Sequence, residues 1–525
     1  MSSNDERKPQ EDKVFFEGRD WREEMRLAEL AREERLRIIG NRYFFYIKLA
    51  VCFGILFTFC FHDFDENFNG VVYPIFAIGL FLFAYLTLRG LDKRVEVSSI
   101  SCMVAAGLLA ISSFLTANGF VLFFNTVGIG ILFSVFLCKQ FFKDGEWGVG
   151  HYFIVIMNSW FGVLPSMKYI FKHSSTVIGK QGERESTGKW KSVLAGVGMA
   201  MVFLFIVIPL LGSADMVFGN MIESFTMNLD GDGIAQFMRY LLFILGGTLA
   251  FYGMVCVFVS ERVNVNQPAI AIEQWDPRSL TVMTRIIACV YLFFSGIQVV
   301  YLFGGVFELP NGITYAEYAR QGFFQLLFVT VINIAMVLLL LNLCKESRKL
   351  KHLLAVICGC TYVMIASAAY RMVLYISEYH LTFLRILVLW FLAVLSIVMV
   401  GVLYYIYHVL FHISRYVFKV VLLSYFVLSF MRPDYVIASY NISHMDSITE
   451  EDVTYLTYLS TDAVPALADI DEDQLAEAES DYDSSSSEVL NEYFNEVCQN
   501  YNHSFRYFNL GEYYSYQIAK EKAIQ

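Results

Sequence analysis

Four ionisable side chains stand close together between two long apolar stretches of this sequence. The segment YRMVLYISEYHLTFLR, residues 370–385, contains Arg371, Glu378, His380 and Arg385. A carboxylate beside a histidine could transfer protons, or the whole group could form a binding site. Charged residues at membrane depth are energetically costly, so they are candidates for function wherever they occur.

The spacing of this group would align it on one helical face. Arg371, Glu378 and Arg385 are seven residues apart, with Tyr375 and Thr382 between them, so a continuous helix would bring all five together. Two interpretations remain open. In the first, an ion pair fixes a helical hairpin and the long Arg371 side chain reaches the membrane interface. In the second, the residues form a binding site at the mouth of a helix bundle.

Other polar residues are expected to join this group. QVVYLFGG brings Gln298 and Tyr301 to the end of another apolar stretch, and TYAEYARQGFFQL places Glu317 and Arg320 where the next stretch begins. No catalytic set and no metal-ligand set is predicted, and no cofactor is expected. The candidate functional cluster therefore consists of Arg371, Tyr375, Glu378, His380, Arg385, Gln298, Tyr301, Glu317 and Arg320.

The elements that position these residues are membrane-spanning helices. Of the 525 residues, 56% are hydrophobic and only 17% are charged, whereas soluble proteins have about 25% charged residues. Several apolar stretches reach about 18 residues, which is enough to cross a bilayer. We therefore predict an all-α polytopic transmembrane helix bundle with eleven spans, at residues 44–62, 71–88, 98–117, 119–138, 192–212, 239–260, 281–303, 323–343, 352–376, 384–410 and 414–431.

The distribution of Lys and Arg orients these spans, because short cytoplasmic loops are rich in both. Arg32 and Arg35 place the N-terminus inside, whereas the loop HDFDENFNG has no basic residue and is expected outside. The segment 151–167 is short and contains Asn158 and Pro165. Treated as an interfacial or re-entrant segment, it leaves every later basic loop inside and the C-terminal tail outside. A crossing at this segment would give twelve spans.

An acidic soluble tail follows the last span. Residues 433–525 contain nineteen Asp or Glu and three Lys or Arg, which argues against a nucleic-acid partner because phosphate binding needs basic residues. Ser447 and Glu450 have the spacing of a capping box, so the tail is predicted to be helical. The chain then divides into a polar cytoplasmic N-terminal tail with a charged helix (1–42), four spans (43–138), a basic cytoplasmic segment (139–191), the remaining spans (192–431) and the acidic tail (432–525).

Two segments look like motifs of soluble proteins and depart from them in spacing. In GERESTGKW, five residues separate Gly182 from Gly188 where a phosphate-binding loop needs four, and Trp190 replaces Ser or Thr. NLDGDGIAQFMR begins like a calcium loop, but Arg239 stands where a bidentate Glu is required. Neither segment is therefore assigned a ligand.

A set of motifs resembles a bacterial membrane family known as domain of unknown function 4173, which overlaps with domain of unknown function 4153. The motifs are DPRSLT, QVVYLFGG, TYAEYARQGF, YRMVLYISEYHLTFLR, PDYVIASYN, TYLTYLSTDAVPAL and FRYFNL, over residues 276–510. The resemblance leads us to expect Gly in a Tyr-Gly-Leu-Thr turn where this chain has His380. Gly is the usual left-handed residue at a helix end, so the geometry of this turn is in question. The family has no assigned activity, and the resemblance implies architecture alone.

Three functions compete. The favoured one is a non-enzymatic envelope sensor, scaffold or assembly factor in the bacterial cytoplasmic membrane, whose outer tail binds an envelope protein. The alternative is a small-molecule or ion transporter, which needs polar groups near the bilayer midplane; Asn125, Gln298 and Asn333 are the candidates. A membrane enzyme acting on lipid or glycan would depend on Glu378 and His380. The sequence names no small-molecule ligand.

Overall fold

The computed structural model of the chain describes most of the apolar region and most of the tail. The described residues are 21–62, 70–142, 147–181, 207, 211, 215, 217–218, 231–260, 276–300, 323–343, 347–445, 447–471, 474–475 and 486–523. Apart from one bridge between Ile448 and Leu475, the regular structure of these residues is helical. The fold is an all-α polytopic bundle.

The described residues before the tail form thirteen α-helices. They are α1 (Trp21–Asn41), α2 (Tyr43–Phe61), α3 (Val72–Gly90), α4 (Ile100–Leu115), α5 (Gly119–Phe141), α6 (Val149–Ser166), α7 (Lys168–Gln181), α8 (Gly231–Val259), α9 (Pro277–Gln298), α10 (Phe323–Leu343), α11 (Arg348–Tyr379), α12 (Phe383–Tyr407) and α13 (Ile413–Phe430). Local signals set several boundaries. The Asn118 side chain accepts the N–H of Val121 at the start of α5, and Asp276 followed by Pro277 begins α9.

Ten described helices are long and apolar enough to cross a membrane, and each overlaps a predicted span. The eleventh prediction, 192–212, lies almost entirely outside the described residues. The segment 151–167 forms most of α6, and α6 with α7 makes a helix pair bent by 48°. Such a pair is either one broken span or a re-entrant loop, so the interfacial placement of this segment stays a prediction.

The chain divides into two compact units. The first contains residues 1–54, 159–235 and 245–263. Within it α1 packs against α7, where Lys172 Nζ lies 2.7 Å from Glu33 Oε1. His173 Nδ1 lies 2.8 Å from the hydroxyl of Tyr252 in α8. The charged N-terminal helix expected from the sequence is therefore α1, which packs against α7.

The second unit contains residues 55–158, 236–244 and 264–525. In it α4 packs against α3 and α5, while α11 packs against α9, α10 and α12. The fully buried residues Leu354, Ile357 and Met399 lie in the core of this second group. Helix α13 contacts both α12 and α4 and so connects the two groups of helices.

Packed helices of this unit that are joined by a short connection, such as α4–α5 and α11–α12, run in opposite directions, so their ends fall into two sets. One set surrounds the short connections 116–118 and 380–382, whose neighbours Phe120 and Phe383 have ring centroids 4.8 Å apart. The chain leaves α13 beside the same connections, because Ser112 near the end of α4 bonds Ser429 near the end of α13. We call this set the junction end and the other set the opposite end.

The tail folds as a compact helical module beyond α13. Its helices are α14 (Pro433–His444), α15 (Glu450–Thr457), α16 (Val464–Leu467), α17 (Ser486–Asn500) and α18 (Leu510–Ala523). Ile448, Val453, Leu456 and Leu467 are fully buried in its core. The sequence analysis placed a capping box at Ser447 and Glu450, which is wrong by two residues. Thr449 and Asp452 form the capping box at the start of α15. Thr449 has the extended backbone that an N-cap requires.

Candidate functional site

The ionisable cluster predicted at residues 371–385 is divided between two helices. Helix α11 ends at Tyr379, His380 adopts φ 63° and ψ 179°, and α12 begins at Phe383. The helix is therefore interrupted between Glu378 and Arg385, in agreement with the predicted spans 352–376 and 384–410, and the single face that a continuous helix would give these residues does not form. The chain turns here because His380 takes a backbone conformation that only glycine adopts readily.

Arg385 closes this turn. Its Nη1 donates to the backbone oxygens of Tyr379 and His380, and its guanidinium lies 4.3 Å from the ring centroid of Tyr375. Cationic donors are favourable at the C-terminal end of a helix, where the last carbonyls have no helical partner. Glu378 is exposed and takes no part in these contacts. The hairpin is thus held by an arginine-to-carbonyl contact, whereas the sequence suggested an ion pair.

Arg371 belongs to a separate group deeper in the bundle. It is 7% exposed, and its Nη2 lies 3.5 Å from Oε1 of Gln298, which also accepts from Ser367 Oγ at 2.5 Å. Gln298, which the sequence analysis grouped with Arg371, thus lies beside it. Tyr301, Glu317 and Arg320, the other members of the predicted cluster, lie outside the described residues.

Replacing His380 by glycine is expected to stabilise the α11–α12 hairpin by about 1 kcal/mol. The backbone conformation at His380 costs a non-glycine residue about 1–3 kcal/mol, while glycine adds about 0.5–1 kcal/mol of entropy cost. Thermal unfolding of the purified protein measures the effect. His380→Ala is the control, because alanine keeps the strain and removes the imidazole; equal midpoints for the two variants would contradict the argument.

A second polar group lies at the junction end and was not predicted from the sequence. It joins the connections between the spans to the tail module, and most of its side chains are fully or almost fully buried. We call it the polar junction; it comprises Thr116, Asn118, Arg432, Asp434, Asp462 and Asn509.

Asp462 is the most enclosed acid of the polar junction, with no exposed surface. Its Oδ2 accepts from the hydroxyl of Thr116, its Oδ1 accepts from Arg432 Nη2 at 3.2 Å, and the backbone N–H of Ala117 also donates to the carboxylate. Burial raises the pKa of Asp462, and the hydroxyl of Thr116 and the Arg432 guanidinium oppose that rise. One tail carboxylate therefore binds the α4–α5 connection and the end of α13.

Asp434, at the first turn of α14, makes a parallel connection. Its Oδ2 accepts from Asn118 Nδ2 at 2.8 Å and from the backbone N–H of Ser460 at 3.1 Å. The Oδ1 of the same Asn118 amide accepts the N–H of Val121 and so caps α5. A carboxylate in the first turn of a helix is also favoured by the helix dipole. Asp434 thus fixes the start of the tail to the start of α5.

Asn509 connects two helix ends with one amide. Its Nδ2 donates to the backbone oxygen of Thr116 at 2.9 Å, just beyond the end of α4. Its Oδ1 accepts from the N–H of Gly511 at 2.8 Å in the first turn of α18. The unsatisfied carbonyls of one helix and the unsatisfied N–H groups of another are therefore served by a single buried side chain.

Close packing accompanies these bonds at Gly511. A Cβ on this residue would overlap the backbone oxygen of Leu115, and the position is fully enclosed between α18 and α4. Because the overlapping atoms of Leu115 are backbone atoms, they cannot rotate away as a side chain could. Gly511 therefore permits a distance between the tail and α4 that no other residue allows.

Replacing Gly511 by alanine is expected to weaken tail docking by about 1–3 kcal/mol, the range for overpacking a tight contact. Limited proteolysis of the tail in the reconstituted protein measures the change. Gly107→Ala in α4 is the matched control, since nothing lies within 4 Å of the Cβ it would add. Equal proteolysis rates for the two variants would contradict the close contact.

Tail stability should depend on pH through Asp462. Its pKa is raised in the folded protein, so the folded state binds the proton more readily than the unfolded state, and stability falls as pH rises from about 4 through the raised value. Asp462→Asn removes this contribution. The difference in unfolding midpoint between wild type and Asp462→Asn should therefore change across that window in favour of wild type at the acid end. A difference that is constant with pH would contradict the prediction.

A further buried side chain of the tail, outside the polar junction, reaches the predicted cluster. Asn441 in α14 is fully buried and accepts the N–H of Leu381 at 2.7 Å while donating to the oxygen of Leu381 at 3.0 Å. Leu381 follows His380 in the turn that Arg385 closes. The tail thus bonds directly to the α11–α12 connection as well as to the α4–α5 connection.

The hydrogen bonds of the polar junction attach the tail module to the connections between the spans. Asp434 and Asp462 each accept several hydrogen bonds from the chain itself, which satisfies carboxylates that would be costly to bury alone. Among the described residues, no group of three or more His, Cys, Asp or Glu has the arrangement of a metal site. A sequence signal for the junction does exist, in the short polar connection Thr116-Ala117-Asn118 and in Arg432-Pro433-Asp434 directly after a span.

Comparison with protein-family models finds a match. Residues 103–470 match the model of a family described as "Domain of unknown function (DUF4153)". The match contains both short connections of the junction end, the buried acids Asp434 and Asp462, and the whole ionisable segment 370–385. No curated protein matches. No solved structure matches either.

Proposed function

The chain belongs to the DUF4153 family, and we propose that it works as a non-enzymatic scaffold or sensor of the bacterial envelope. In this proposal the protein is multi-pass in the cytoplasmic membrane, with the tail module outside, where it binds another envelope protein. The membrane bundle carries the module in a fixed orientation. In this proposal the functional part of the protein is the surface of the tail module that binds the envelope protein.

The attachment of the tail through the polar junction and Asn441 is the observation that carries the proposal. Four separate side chains of the tail region, Asp434, Asn441, Asp462 and Asn509, bond to two different connections between spans. A tail that served only as a flexible tether would not need buried polar bonds. A module bound at several points can pass a force or a change in position to the helices, which is what a sensor or scaffold requires.

The charge distribution supports the proposed orientation. The connections 116–118 and 380–382 at the junction end contain no Lys or Arg. The opposite end of the same helices carries Arg89, Lys93, Arg94, Lys139, Arg278, Arg348, Lys349 and Lys351. Because cytoplasmic loops are enriched in Lys and Arg, the opposite end is assigned to the cytoplasm and the tail to the outside.

The path between α5 and α8 is compatible with this orientation. Helix α5 ends at the opposite end, since Gln140 bonds Ser99 before α4. Helix α8 starts at the junction end, since Tyr240 packs on His62 with ring centroids 4.6 Å apart. An odd number of crossings must separate them. One crossing at 192–212 with an interfacial 151–167 satisfies this, and so does a crossing by α6 and α7 alone.

Exposed tyrosines provide a surface for a protein partner. Tyr458, between α15 and α16, is 85% exposed, and Tyr379 and Tyr435 are also exposed near the junction. Tyrosine is enriched at protein interfaces because it offers apolar area together with a hydroxyl. We place the partner surface around Tyr458.

The proposal is tested by a photo-crosslinking amino acid at Tyr458 in cells that make the protein naturally. The expected result is one discrete crosslinked protein. The matched control is the same substitution at Tyr85, which is 47% exposed on the spanning helix α3 and should give no such product. Absence of a protein crosslink at position 458 would contradict the proposal.

A transporter is the second candidate, and one observation favours it. Asn333 in α10 is fully buried and bonds Thr361 Oγ1 at 3.0 Å and the Tyr291 hydroxyl at 2.7 Å. Three helices thus share a polar group within their spans, as a substrate path would require. Solute uptake by proteoliposomes that Asn333→Leu abolishes would establish this function in place of the first.

A further inference from the structure

The segment Phe505–Tyr514 is held at the level where the spans end. Val71 donates its N–H to the oxygen of Phe508 at 2.8 Å, immediately before α3 begins. Asn509 bonds the end of α4, as described above. Helix α3 has 19 residues, about 28 Å at 1.5 Å per residue, which matches a hydrocarbon core of about 30 Å. The first residue of α3 must therefore lie close to the boundary between hydrocarbon and headgroups.

Large apolar side chains of this segment point away from the protein. Phe505 is 69% exposed, Leu510 43%, Tyr513 40% and Tyr514 54%. Residues 510, 513 and 514 share one face of α18 because they have i, i+3, i+4 spacing. The other face packs inward through small residues, with Ser515 Oγ donating to the oxygen of Thr461 at 2.6 Å.

The apolar character of the exposed face fades along the helix. One and a half turns beyond Tyr514 the exposed residues are Lys520, Glu521 and Lys522. Glu521 is seven residues after Tyr514 and so lies on the same face, about 10 Å farther from the start of the helix. A helix that begins in the headgroup layer and leaves it would show this gradient, since aromatic side chains are favoured at that depth and charges in water.

We propose that Phe505, Leu510, Tyr513 and Tyr514 insert into the lipid headgroup layer and anchor the tail module to the bilayer surface. The occupant of this patch is lipid, because the bonds to Val71 and Thr116 fix the patch at the depth of the helix ends. The inference is independent of any protein partner of the tail. It adds a lipid contact to the polar junction as the second attachment of the module.

Spin labels report the depth of each position directly. In full-length protein with its other cysteines replaced by serine, Tyr514→Cys and, separately, Phe505→Cys and Glu521→Cys are labelled and reconstituted in phosphatidylglycerol–phosphatidylethanolamine vesicles. Collision with oxygen, which concentrates in lipid, is compared with collision with a water-soluble nickel complex. Ile78→Cys, from a position 69% exposed on α3, gives the reference for lipid.

The labels at 514 and 505 are expected to show a ratio of oxygen to nickel collisions shifted from the Glu521→Cys value toward the Ile78→Cys value. A ratio at 514 and 505 equal to that at 521 would place the patch in water and overturn the proposal. Infrequent collision of the labels at 514 and 505 with both oxygen and the nickel complex would also overturn the proposal. Such a result would mean that protein, such as a second copy of the chain, covers the patch in place of lipid.

Discussion

Replacing Asp462 by alanine is expected to loosen the tail module by about 3 kcal/mol. The substitution leaves Arg432 without the carboxylate it faces and leaves the hydroxyl of Thr116 and the N–H of Ala117 without their acceptor. Removing one partner of a buried charge pair costs about 3–5 kcal/mol, and the lower value applies because the Arg432 side chain is 28% exposed.

Hydrogen exchange of the peptide around Asp462, followed by mass spectrometry on the reconstituted protein, measures this loss. A change of about 3 kcal/mol corresponds to roughly a hundredfold faster opening. Glu451→Ala is the matched control, because it removes an exposed acid from the same module and should change stability by less than about 0.5 kcal/mol. Similar exchange in both variants would mean that Asp462 is not part of the attachment.

Replacing Asn441 by alanine is expected to release the α11–α12 connection at a cost of about 3 kcal/mol. The side chain serves both the N–H and the C=O of Leu381, and each buried backbone group left without a partner costs about 1–3 kcal/mol. The same amide connects the tail to the turn at His380. The variant should therefore free the turn and the start of the tail together.

Exchange at the amide of Leu381 reports the effect, and it should become about a hundredfold faster. Ser443→Ala is the control on the same helix, because Ser443 is exposed and its hydroxyl bonds locally, to the backbone oxygen of Tyr440 and the ring of His444. Protection of Leu381 that survives Asn441→Ala would show that the turn is stable without the tail.

The spans were predictable from sequence because the signal for each is local. An apolar run of about 18 residues is visible without knowledge of its neighbours, and ten such runs coincide with described helices. The helical tail was predictable for a similar reason, although its capping box lies at Thr449 and Asp452. Its family was recognised in part: the motifs after residue 276 suggested domain of unknown function 4173 with the overlapping family 4153, and of these two the DUF4153 model matches.

The polar junction could not be predicted because its partners are far apart in the sequence. Asn118 and Asp434 are separated by 316 positions, and Thr116 and Asn509 by 393. Each residue alone is typical of a helix end. The break between Glu378 and Arg385 was predictable, because the predicted spans 352–376 and 384–410 lie on either side of it, and His380 ends α11 there. The contacts of Arg385 with the carbonyls of Tyr379 and His380 were not predictable, because they depend on the conformation of the turn.

The attachment of the tail to the outer ends of the spans is the central claim, and paired cysteine labelling tests it. Native Cys498 packs partly against the core of the tail, so an exposed position is the better probe. With the natural cysteines replaced by serine, Glu521→Cys reports the tail, and Val97→Cys, from a position 77% exposed at the opposite end of the helices, reports the other side. Intact cells are treated with a membrane-impermeant maleimide. We predict labelling at 521 without lysis and at 97 only after lysis; the reverse pattern, or the same pattern at both positions, would contradict the account.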